Sequence, residues 1–100
     1  MIIGVTSTEA RAFNNAGKCG LTFWTPNINP YKDPRWGRGM ETPGEDPRRI
    51  KGYVEALLAG LEGSADEQRN GRKKVIATCK HYAGYDIESK TPVLCSYSEG

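Results

Sequence analysis

The chain has 100 residues, enough for one small domain. Apolar residues make up 37% and charged residues 26%, which is globular composition and excludes a disordered tail. The net charge of +2 is too balanced to point to nucleic acid or an anionic membrane, and no apolar run approaches the roughly 18 residues of a membrane span.

Residues 6–18 read as a helix. Thr6 with Glu9 three residues later forms a capping-box pattern, and Ala10, Phe13, Ala16 and Gly17 recur at helical spacing. Gly17 or Gly20 stops it. Leu21–Trp24 follows as a short strand with Ile28 as its furthest extent, and Pro26 argues that the regular ladder ends early.

The stretch Phe23–Pro47 is a long, stiff loop. Pro26, Pro30, Pro34 and Pro43, with Gly37, Gly39 and Gly44, stop any long helix or strand from crossing it. A loop of this length that carries arginines, aromatics and carboxylates is expected to be functional, because a plain connection is shorter.

After the loop, Asp46 is a natural N-cap and Pro47 a natural first helical residue. Ile50, Tyr53, Val54, Leu57, Leu58 and Leu61 then form one apolar stripe, which is core packing, and Gly63 ends the helix. Ser64–Lys74 is polar and reads as a solvated connection. Val75–Cys79 is an apolar, β-branched run that reads as a strand buried on both faces, as parallel strands are. Helix, strand, loop, helix, strand is an α/β order, with two parallel strands joined by a right-handed crossover.

Both Arg38 and the pair Lys80–His81 follow C-terminal strand ends, the edge where open α/β sheets and (β/α)8 barrels bind ligands. Arg38 offers a planar fork of donors for a carboxylate or vicinal hydroxyls. Its other reading is a loop arginine paired with Glu41 or Asp33, and spacing does not choose between them. Lys80 and His81 are strand neighbours that reach one ligand only if the strand bends. Their other reading is a solvated lysine and a satisfied histidine. Glu41 sits where it can orient Arg38 or Lys80, while Asp46 is explained by capping. Trp36 and Tyr31 either present a flat face to a sugar ring or pack the loop down.

Cys19, Cys79 and Cys95 show no metal-ligand spacing and His81 is the single histidine. No disulfide framework, metal or cofactor is therefore expected, and Cys79 is expected to be a buried thiol. Met1–Val5 is too short, and lacks the basic start, for a secretory signal.

Several of these stretches resemble the N-terminal barrel domain of glycoside hydrolase family 3. They are Asp33–Arg38, Glu41–Pro47 and Ala77–Tyr82, and the wording is closest to fungal and plant β-xylosidases through Ser7–Asn15, Phe23–Pro30 and Lys80–Asp86. The resemblance implies a partial (β/α)8 barrel over residues 1–88, of about two parallel strands with flanking helices, and an unmatched tail over 89–100. It implies a fragment of a retaining exo-β-glycosidase acting on β-1,4-xylo-oligosaccharides, secreted as is usual for the family. In the family, the positions matching Arg38, Lys80 and His81 bind hydroxyls of the sugar, and Glu41 supports that basic cluster. The nucleophile and the acid/base lie outside these residues, so no catalytic residue is assigned and the isolated chain is expected to be inactive. The alternatives are a non-catalytic carbohydrate-binding module and a non-functional truncated gene product.

Overall fold

A computed structural model describes residues 2–71, 73–82 and 84–87. Five elements follow one another: α1 (Ile2–Asn15), β1 (Thr22–Phe23), α2 (Pro47–Glu62), α3 (Ala65–Arg69) and β2 (Ile76–Ala77). A short 3-10 turn, Gly39–Glu41, interrupts the long loop between β1 and α2. The stretch 89–100, read as a tail, lies outside the described residues, as does Cys95.

β1 and β2 pair in parallel, with Thr22 opposite Ile76 and Phe23 opposite Ala77. The regular ladder ends early, at Phe23, as Pro26 leads one to expect, but separate backbone bonds continue beyond it. A proline lacks the donor yet keeps its carbonyl, and that carbonyl accepts the Lys80 N–H at 2.9 Å. The Ile28 N–H then donates to Lys80 O at 2.7 Å, and Asn27 bridges to Lys80 in parallel. The two chains therefore run side by side from Leu21 to Ile28, and the Lys80 end of one is fixed against the start of the loop.

α2 forms as its sequence dictates. Asp46 accepts the Arg48 N–H at 2.9 Å, which satisfies one of the orphan donors of the first turn. Gly63 closes the helix at φ 103, a backbone angle that favours glycine. Ile50, Leu57 and Leu61 are buried, Val54 and Leu58 are half-buried, and Tyr53 stays exposed. Leu57 and Leu61 join Ala10 and Val75 in the core, with Ile3, Leu21, Phe23 and Ala77 packed against them.

α1 departs from expectation at its start. It begins at Ile2 rather than at residue 6, so Thr6 and Glu9 are interior and form no capping box. Thr6 Oγ1 instead donates back to Ile2 O at 3.3 Å, the local bond open to a mid-helix threonine. Its end is a paired C-terminal motif: the Gly17 N–H donates to Asn14 O and the Lys18 N–H to Phe13 O, with Gly17 at φ 69. The buried face is also different. Phe13 is 59% exposed, while Ser7 is fully buried and donates to Gly60 O at 2.8 Å. Small residues lie at this contact because α1 and α2 approach closely at Gly60, where an added Cβ would stand 2.9 Å from Ile3 Cγ2.

The stretch Ser64–Lys74 is more than a connection, since it contains α3. Ser64 accepts the Glu67 N–H and Glu67 accepts the Ser64 N–H at 2.7 Å, a complete capping box. β2 is narrower than the run Val75–Cys79. Val75 is 1% exposed, but Ile76 on the opposite face is 49% exposed and Cys79 is exposed, so burial on both faces does not extend along the run and the thiol is not buried.

Glu62 ties the end of α2 to β2. Its carboxylate is nearly buried and accepts from Lys73 Nζ at 2.7 Å and from the Ala77 N–H at 3.1 Å. Burial works to raise its pKa, but these two donors more than offset burial, so the group sits below the usual carboxylate range.

Candidate functional site

The loop is built to hold its charged side chains in place. Asp33 accepts the Arg35 N–H at 2.8 Å and pairs with the Arg35 guanidinium at 2.7 Å. The Trp36 N–H and the Gly39 N–H close successive turns onto Asp33 O and Trp36 O. Trp36 is 3% exposed, so it packs the loop down and offers no face to a ligand. Tyr31 is half-buried and packs against Gly39. Its ring occupies the space that a Gly39 Cβ would need, so glycine at 39 lets the loop close against Tyr31. Arg38 stands on the residue before that glycine and opens the 3-10 turn.

Arg38, Glu41 and Lys80 meet. Arg38 grips Glu41 through two bonds, Nε to Oε1 at 2.7 Å and Nη2 to Oε2 at 3.0 Å. Lys80 Nζ donates to the same Oε2 at 2.5 Å, from 39 residues further along the chain. The three side chains keep 39%, 31% and 16% of their surface, so the cluster lies at an open edge. Two cations share one anion, leaving one net positive charge. The hydrogen bond from Arg38, then that from Lys80, lowers the Glu41 pKa to about 2. Glu41 in turn raises that of Arg38 above its ordinary range, with Tyr85 as the second cause.

His81 joins through Tyr85. The two rings lie 4.6 Å apart, and the Arg38 guanidinium sits 5.7 Å from the Tyr85 centroid. Trp36 meets Tyr85 edge-on at 5.6 Å. The Lys80–His81 peptide is cis. Arg38, Lys80, His81 and Glu41 thus form one group on one edge, and Arg38 takes the paired reading of its sequence, bonded to Glu41 with its side chain 39% exposed.

Two residues of this group were not singled out in the sequence. Tyr85 carries no periodic signal, and its only mark is its place in the stretch Lys80–Asp86. Asn29 is buried, and its Oδ1 accepts the His81 N–H at 2.6 Å. Its mark is its place two residues after Asn27, whose side chain accepts the Asn29 N–H at 2.8 Å.

Chemically, the cluster binds more readily than it cleaves. Arg38 and Lys80 can only donate. Both Glu41 oxygens are occupied, and a carboxyl held near 2 is ionised at neutral pH and has no proton to give. Asp33 is likewise held at about 2 by Arg35. Vicinal hydroxyls, which offer lone pairs to several donors at once, suit such an edge.

The family model of the glycosyl hydrolase family 3 N-terminal domain matches residues 6–95. The chain belongs to that family. The match ends inside 89–100, beyond the described residues. This family 3 chain is 59% identical over 87 residues to a probable exo-1,4-beta-xylosidase of Aspergillus terreus, covering 87% of this chain and 11% of that protein. It is 58% identical over 90 residues to a probable exo-1,4-beta-xylosidase of Neosartorya fischeri, covering 90% and 11%. Among solved structures, a GH3 exo-beta-xylosidase (XlnD) in complex with a xylobiose aziridine activity-based probe matches with a TM-score of 0.80 at 49% identity, over 88% of this chain and 11% of that one. The chain spans about a tenth of the length of the curated relatives it matches. Its own architecture is mixed helix and strand with two parallel strands.

Proposed function

We propose that this chain is the sugar-gripping part of a retaining exo-β-xylosidase, a segment of a (β/α)8 barrel. Arg38, Lys80 and His81 bind the hydroxyls of the xylose unit to be released, and Glu41 fixes the spacing of the two cations. The observation that carries this reading is the convergence of Arg38 and Lys80 on one carboxylate, with His81 alongside. The names of its relatives supply the substrate class, β-1,4-linked xylo-oligosaccharides.

The bond-breaking pair is assigned to residues outside this segment. A retaining glycosidase needs two carboxyl groups about 5 Å apart, one able to protonate the leaving oxygen. Glu41 is neutralised by two cations, Asp33 is paired with Arg35, and Asp46 caps α2. None of the three is poised for that work. What these residues contribute to rate is binding that strengthens as the ring distorts toward the transition state.

The test is a titration of the labelled chain with xylobiose, followed by amide NMR. Shifts clustered at Arg38, Lys80, His81 and Tyr85, lost in Arg38→Ala and Lys80→Ala, are the expected outcome. Shifts that survive both substitutions, or none at high sugar, would defeat the assignment. Release of nitrophenol from an aryl β-xyloside by the purified chain should be at background, and robust turnover would show that a catalytic pair had been missed.

A further inference from the structure

We infer that Tyr85 is a positioning residue that holds the Arg38 guanidinium and the His81 ring at a fixed spacing, and that the Lys32–Asp86 ion pair seats it there. Tyr85 touches residues from two separate stretches of the chain. Arg38 Cζ lies over its ring at 5.7 Å from the centroid, and the His81 ring lies 4.6 Å away. Trp36 meets the same ring edge-on at 5.6 Å and is itself buried, so it forms a fixed wall.

The seat comes from the next residue. Asp86 is 8% exposed, and its carboxylate pairs with Lys32 Nζ at 2.5 Å. A carboxylate this deep is costly without its cation. Lys32 belongs to the long loop, so the pair ties the segment after β2 back to that loop. Gly84, at φ 77, turns the chain just before Tyr85.

The ring adds what the ion pairs do not. Glu41 holds Arg38 through Nε and Nη2, and Lys80 through Nζ, but these bonds act on the charged groups alone. The negative face of an aromatic ring attracts a cation, and its edges meet other rings. One tyrosine therefore restrains Arg38 and His81 together. Tyr85 is also the second group, after Glu41, that favours the charged form of Arg38. A leucine would fill much of the same space and offer no such face, which separates positioning from packing. On the sugar-binding reading above, on which this last step alone rests, the fixed spacing aims Arg38 and His81 at hydroxyls of one sugar ring.

The test is NMR of the labelled full chain, first without sugar. Nitrogen relaxation at Arg38 Nε reads how firmly the guanidinium is held, and the carbon-bound ring protons of His81 read their distance from the Tyr85 ring. In Tyr85→Leu the Arg38 order parameter should fall and the His81 protons should lose their ring-current shift. In Tyr85→Phe both should stay closer to native than to Tyr85→Leu. Lys32→Met leaves the ring in the sequence and changes a side chain that is 65% exposed, yet should move both signals in the Tyr85→Leu direction. Unchanged Arg38 order in a Tyr85→Leu chain with intact α2 amide signals would overturn the inference, as would equal losses in the Leu and Phe variants. No effect of Lys32→Met would overturn the seat. If Tyr85→Leu does not fold, nuclear Overhauser contacts from the Tyr85 ring to both Arg38 and His81 in the native chain decide, and their absence sinks the proposal. Xylobiose is then added: Tyr85→Leu should weaken its binding about three- to tenfold and Tyr85→Phe should restore most of it. Loss of Arg38 order in Tyr85→Leu with no response of the native chain to xylobiose would sink the sugar-binding reading and leave the role of Tyr85 standing.

Discussion

Two glycines in α2 make the same substitution with opposite expected signs. Gly52 is exposed, and a Cβ built on it meets nothing within 4 Å. Gly52→Ala removes only the backbone freedom that glycine has in the unfolded chain, and should stabilise by about 1 kcal/mol. Gly60 has the same intrinsic gain available, but its Cβ would stand 2.9 Å from Ile3 Cγ2, 3.0 Å from Ile3 Cβ and 3.4 Å from the Gly4 nitrogen. Ile3 is β-branched and can swing away only by leaving its rotamer, so overpacking should cost about 1–3 kcal/mol. Pushing α1 outward also lengthens the Ser7–Gly60 hydrogen bond of 2.8 Å, worth about 1 kcal/mol. The net effect of Gly60→Ala should therefore be destabilising, by about 1–3 kcal/mol. Urea denaturation followed by far-UV circular dichroism measures both. At this chain length each kcal/mol moves the thermal midpoint by about 4–8 °C. Ile3→Ala, which removes Cγ2 but keeps Cβ, should relieve part of the cost in the Gly60→Ala background, with a coupling of about 0.5–3 kcal/mol. Equal stabilisation by both glycine substitutions would show that α1 does not pack on α2 at this point.

Glu41, whose pKa is lowered to about 2 first by Arg38 and then by Lys80, binds its proton later than an unfolded glutamate does. Its contribution to stability is thus fully present above about pH 5, and is lost as the pH falls toward 2. Carbon NMR of its carboxyl should show a midpoint near 2 that rises toward the ordinary range in Lys80→Ala; a native midpoint near 4.5 would mean the three side chains do not meet in solution. Asp46→Ala should cost about 1 kcal/mol through loss of the α2 cap, whereas Thr6→Ala, inside α1, should cost close to nothing. A large Thr6 effect in the same denaturation assay would restore the capping role that its sequence suggests.

Those two substitutions mark where local sequence suffices. α2 was legible because every signal for it is short-range: a capping aspartate, a proline at the first position, one apolar stripe and a glycine at the end. The pattern Ser/Thr-x-x-Glu stands at both Thr6 and Ser64, and of these two only the second forms a capping box. The pattern names a residue able to cap. Whether it does so depends on the residues before it, which are helical at Ile2–Val5 and turn at Gly63. α3 was missed because five residues are too few to show a period.

The run Val75–Cys79 shows a second limit. Apolar character says a strand prefers to be covered, and the packing around it sets how many faces are covered; here Ile76 and Cys79 remain exposed. The candidate site divides along the same line. Chain order and the proline-rich loop were enough to place Arg38 and Lys80–His81 after strand ends. Their meeting on Glu41, the service of Tyr85 beneath them and the hold of Asn29 on His81 were decided by tertiary structure. A parallel register between Leu21–Ile28 and Ile76–Lys80 sets which side chains stand opposite one another. Such pairings join residues tens of positions apart, and no interaction between sequence neighbours encodes them.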